Sequence, residues 1–67
     1  MFKVWDRVVV NEPDMGIVNA KGTVVHTADF CGEMQNCTVK LDNIVGLWPF
    51  NERCFLDREL TLVTNKA

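Results

Sequence analysis

The spacing of turn-forming residues constrains this chain more than any other feature. Gly, Asn, Asp and Pro interrupt short runs of β-branched and apolar residues about every eight to twelve positions. No stretch sustains the 3.6-residue apolar period of an amphipathic helix. Such punctuation belongs to a small all-β fold. At 67 residues the chain makes one domain, and a domain of this size buries only ~60% of the surface its unfolded chain exposes. Two tryptophans and four phenylalanines therefore matter to the core, because each buried aromatic removes about 150–250 Å² from water.

Five strands can be placed. Residues 2–10 alternate, with Val4, Val8 and Val10 on one face and Trp5, Arg7 and Val9 on the other. Asn11-Glu12-Pro13-Asp14 ends that run, since proline cannot donate to a ladder and Asn and Asp favour turns. Residues 15–20 read as a loop anchored by Ile17 and Val18, and residues 23–28 as the second strand. Residues 29–35, with Gly32, form a hairpin connection. The third strand, residues 36–41, points Cys37, Val39 and Leu41 to one side. After an Asp42-Asn43 turn, the apolar run 44–50 is expected as the fourth strand, residues 51–56 as a helical turn, and residues 59–63 as the last strand. Residues 64–67 are a polar tail, so the domain is expected over 1–63.

Hydrophobic residues make up 48% of the chain and charged ones 24%, with a net charge of −2, which excludes wholesale disorder. No apolar run approaches the roughly 18–20 residues of a membrane-spanning helix. The start Met1-Phe2-Lys3-Val4-Trp5-Asp6 places charge where a signal peptide would be apolar. A free-standing cytoplasmic protein is the resulting expectation.

Trp5-Asp6-Arg7-Val8-Val9-Val10 resembles the Gly-Asp-Arg-Val opening of KOW-type and other SH3-like barrels, and Lys21-Gly22-Thr23-Val24-Val25 is similar to their Gly-Thr-Val second strand. Thr38-Val39-Lys40-Leu41-Asp42, Leu47-Trp48-Pro49-Phe50 and Glu59-Leu60-Thr61-Leu62-Val63 resemble the remaining parts. The resemblance implies a five-stranded SH3-like barrel with a short helical turn before the last strand. One departure stands out: Trp5 replaces a glycine that would permit positive φ. A tryptophan there implies ordinary strand geometry, or an aromatic displaced for another purpose. It either caps one end of the barrel or meets a partner.

The chemistry-bearing residues are few. Cys31, Cys37 and Cys54, without a secretory signal, read as reduced thiols. A Cys31–Cys37 bridge, or a zinc site adding Cys54 and His26, is the alternative, but no Cys-x-x-Cys knuckle preorganises a metal. His26 is the single histidine. A Cys37–His26 pair across the hairpin would lack an oxyanion hole and an orienting third group, so no catalytic residue, metal or cofactor is assigned and the chain reads as a non-enzyme. The glycines form no phosphate loop.

Three functional classes remain. Net acidity favours a protein-interaction module. Its candidate contact residues are Trp5, Met15, Phe30 and Met34, the last three on the two long loops. By size and fold alone, such minimal barrels are frequent among phage and mobile-element accessory proteins that bind a host protein. The KOW resemblance implies a nucleic-acid or transcription-complex contact instead, through Arg7, Lys21 and Lys40 on one face. A third class is an oligomer with a small-molecule site between subunits, as in plasmid-borne type II dihydrofolate reductases. The apolar surplus also points to homo-oligomerisation, with the fourth strand offering an edge.

Overall fold

The computed structural model describes residues 2–30 and 34–63, apart from the side chains of Asp29 and Phe30. The chain is all-β. Five antiparallel strands form one sheet: β1 (Arg7–Glu12), β2 (Ile17–Phe30), β3 (Met34–Leu41), β4 (Glu52–Leu56) and β5 (Leu60–Leu62), in the order β4-β3-β2-β1-β5. The expected polar tail lies outside the described residues.

The alternation of β1 and β3 carries over into burial. Val8, Val10, Cys37, Val39 and Leu41 point inward with Ile17, Val24 and Phe55, all essentially inaccessible. Val4 leaves this face because it sits in a turn ahead of β1, not in the strand, and is exposed.

β2 is 14 residues long and serves both halves of the sheet. Its first half pairs with β1 and its second with β3, and Gly22 faces Val8 on one side and Leu41 on the other. A Cβ at Gly22 would meet Val39 Cγ1 at 2.6 Å and the Lys40 carbonyl at 2.7 Å, so glycine allows β3 to close on the bend. A bulge between Val24 and His26 adds to the curvature. The curvature shows in the last connection. β4 and β5 occupy opposite edges of the sheet, yet only the 3-10 turn Asp57–Glu59 separates them. Five flat strands at about 4.8 Å spacing would set these edges roughly 19 Å apart, beyond the reach of one 3-10 turn at about 2 Å per residue. The sheet therefore curls, bringing its edges toward each other.

Three expectations are corrected. The loop expected over 15–20 is strand from Ile17 onward, after a 3-10 turn at Pro13–Met15. The apolar run 44–50 forms no ladder. It is an irregular connector pinned by Leu47 N–H donating to the Met15 carbonyl (2.8 Å). Gly46, at φ 63°, packs directly on Met15 and Gly16, where a Cβ would collide with both carbonyls. The fourth strand is instead Glu52–Leu56, where a helical turn was expected, and the turn comes after it.

Candidate functional site

Trp5 occupies a tight turn. Asp6 N–H donates to the Lys3 carbonyl (3.0 Å), and Lys3 N–H donates to Asp6 Oδ2 (2.9 Å). The third residue of this turn is Trp5, at φ 80°, the value of a type II turn that glycine normally supplies. The ordinary strand geometry expected for a tryptophan is thus overturned. The left-handed conformation costs a non-glycine residue roughly 1–2 kcal/mol. It persists because β2 holds the turn from both sides: Trp5 N–H donates to the Val24 carbonyl (2.6 Å), and Val24 N–H donates to the Asp6 carbonyl (2.9 Å). Asn19 also has positive φ (53°), but asparagine tolerates it. The Trp5 side chain is 76% exposed, so it does not cap the core.

The other candidate contact residues do not join Trp5 in one groove. Met34 is 43% exposed at the start of β3, opposite Phe30. The Phe30 side chain lies outside the described residues. Met15 sits at the far end of β2 and packs, half-buried, against the core. Beside Met34, the buried Gln35 side chain accepts from Phe2 N–H and donates to the Phe2 carbonyl, both at 2.8 Å. That clamp ties the N-terminal segment to the hairpin and brings Val4 and Trp5 out over β2.

Trp48 sits differently. Its indole N–H donates to the Glu52 carbonyl (2.8 Å), its ring meets Phe50 edge-on at 5.7 Å, and the Arg53 guanidinium lies 4.6 Å above it. Arg53 also binds the Glu12 carboxylate through two nitrogens (2.9 and 3.3 Å). Hydrogen bonding to Glu12 raises the Arg53 pKa above its ordinary value. This pair links β4 to the end of β1 across the curled sheet.

Arg7, Lys21 and Lys40 share the outer face, since Arg7 faces Thr23, Thr23 faces Lys40, and Lys21 lies two residues along β2. The face is not a free basic patch. Arg7 grips Asp42 through two bonds (2.9 and 2.6 Å) and donates to Thr23 Oγ1 (2.8 Å). Glu52 stands opposite Lys40. Hydrogen bonding to Arg7 holds the Asp42 carboxyl below the usual range, and Asp42 in turn raises the Arg7 pKa.

The Cys37–His26 pairing weighed and set aside from the sequence does not form. His26 faces Thr38 on the outer side, exposed, while Cys37 is buried within. Cys54 is exposed on β4, 3.3 Å from Thr38 Oγ1. Cys31 lies outside the described residues. Among the described residues no three His, Cys, Asp or Glu side chains gather as metal ligands, and no helix is long and apolar enough to cross a membrane.

Sequence reasoning missed the exposed run Ile44, Leu47 and Phe50. Gly46 and Pro49 inside that run were the available signals against a strand. Comparison of the chain with family models, with curated proteins and with solved structures finds no match.

Proposed function

We propose that this protein is a non-enzymatic protein-interaction module on a small SH3-like barrel, with Trp5 as its anchor. The strand order, the single 3-10 turn before β5 and the Arg53–Glu12 link between distant strands support the barrel reading. The observation that carries the function is Trp5: a tryptophan in a glycine conformation, 76% exposed and doubly tied to β2. Neither packing nor backbone preference favours it there, and tryptophan on a rigid mount is the residue type that dominates binding hot spots. Nucleic acid is the weaker reading, because Arg7 is committed to Asp42 and the net charge is −2.

Affinity capture from a bacterial lysate, with and without nuclease, tests this. A discrete protein should be retained by the wild type in both conditions and lost with Trp5→Gly. Loss on nuclease treatment, or retention by Trp5→Gly, would reject the reading.

A further inference from the structure

β4 ends the sheet on one side, and an end strand presents backbone groups that another chain can pair with. The ladder decides which of its groups face out. Leu41 N–H donates to the Asn51 carbonyl, one step beyond the Lys40–Glu52 pair in a register without a bulge. Hydrogen-bonded and non-hydrogen-bonded pairs alternate along an antiparallel ladder. Arg53 and Phe55 therefore bond to Val39 and Cys37, whereas Glu52, Cys54 and Leu56 turn their N–H and C=O groups away from β3.

Side chains take two of these outward groups. Trp48 Nε1–H donates to the Glu52 carbonyl (2.8 Å), and Leu56 N–H donates to Glu59 Oε1 (2.9 Å). Trp48 reaches the edge from the connector before β4, and Glu59 from the 3-10 turn after it. Between them, no described residue bonds the outward N–H and C=O of Cys54. The two caps match one threat. An antiparallel β4 from a second copy, centred on Cys54, would set Cys54 against Cys54 and Glu52 against Leu56 of the other copy. All three are outward-bonding residues, so the Glu52 carbonyl would accept from that Leu56 N–H. These are the same two groups that Trp48 and Glu59 already hold.

We propose that Trp48 and Glu59 guard the edge of β4, closing it to an added strand and leaving only Cys54, too short a site to pair. The opposite end of the sheet is protected by its length. β5 has three residues, and its Leu60 N–H is held by the Asp57 carbonyl; very short edges resist pairing. The guard is independent of Trp5, whose turn is bonded to β2.

A disulfide between two copies of Cys54 reports the forbidden pairing, because opposed residues in a hydrogen-bonded pair lie about 5.5 Å apart at Cα, within disulfide reach. The full chain is oxidised with copper phenanthroline at about 100 μM, where exposed strand edges associate. Peptide mass spectrometry then counts Cys54–Cys54 bridges, and circular dichroism confirms that each variant is folded. Glu59→Ala and Trp48→Phe should each raise bridging about ten-fold over the wild type, and the double variant further. Glu59→Gln keeps an acceptor oxygen and should match the wild type. In sedimentation velocity the double variant should associate, and adding Cys54→Pro should return it to the wild-type profile. That change removes the outward N–H and leaves the β3 ladder intact. Cys54→Lys, a charge on the edge, is a second route to the same result. Folded cap variants that bridge no more than the wild type overturn the proposal, even with a lowered urea midpoint, since the caps would then serve stability alone. Bridging by Glu59→Gln equal to that by Glu59→Ala also overturns it, as does association that survives both Cys54→Pro and Cys54→Lys.

Discussion

The two tryptophans stand in opposite relations to the fold. Trp48 is held by a hydrogen bond to Glu52, an edge contact with Phe50 and a stacked Arg53, and it helps tie the connector to β4. Trp5 gives its backbone to β2 and its ring to solvent, in a conformation that penalises any side chain. A residue whose every contact favours the fold needs no other explanation. A residue that the fold tolerates only under constraint does.

Substitutions can test that contrast, beginning with the largest expected effect. Trp48→Ala removes a half-buried ring, its contact with Arg53 and the donor on the Glu52 carbonyl, and should cost about 3 kcal/mol. The total stability of a chain this size is only about 3–10 kcal/mol, so a urea titration should show a greatly lowered midpoint. An unmoved midpoint would erase the contrast between the tryptophans. Arg53→Ala leaves the Glu12 carboxylate without its partner and Trp48 without its cation, at about 2 kcal/mol. Adding Trp48→Ala to it should cost less than the sum, because the two share an interaction.

Trp5→Gly should have the opposite sign. It relieves roughly 1–2 kcal/mol of left-handed strain, against about 0.5–1 kcal/mol for the greater freedom glycine gives the unfolded chain. The net lies between zero and about 1.5 kcal/mol of stabilisation by these two terms. Thermal denaturation that shows a clear loss would mean the ring packs more than its exposure implies.

The smallest effect concerns Arg7 and Asp42. Both side chains are 44% exposed, so their pair is worth less than about 1 kcal/mol. The folded-state pKa of Asp42 is depressed, so its contribution is present above the unfolded carboxylate value near 4 and fades as pH falls through the lower folded value. The stability gap between wild type and Asp42→Asn should shrink on acidification from about pH 7 to about pH 3, and also in high salt. A gap constant across that range would exclude the linkage.

Much of the sheet could be read in the sequence because alternation encodes burial. Val8, Val10, Cys37, Val39 and Leu41 all follow it. The fourth strand could not, because the hydrophobic run and the ladder lie in different places. β4 is Glu-Arg-Cys-Phe-Leu with only Phe55 fully buried, which has the look of a polar turn. The neighbouring residues 44–50 have strand-like composition but are held off the ladder by Gly46 on Met15 and Gly16. The candidate site was legible only in part. Trp5 was visible as a departure from a glycine pattern, but its retention of the glycine conformation was not, because that depends on Val24, far along the chain.

The pairing of β5 with β1 also sets the order in which the molecule can be made. Val8 and Val10 face Leu62 and Leu60 across almost the whole described chain. The β1–β2 and β2–β3 hairpins can form from near neighbours, but the last ladder must wait for a closure that carries the entropy of the whole intervening loop. Contacts so remote in sequence place such a fold among those that complete in milliseconds to seconds, not microseconds. Until Leu60–Leu62 docks, the outer edge of β1 is unpaired, and the half-made sheet is at its most vulnerable to joining the wrong strand.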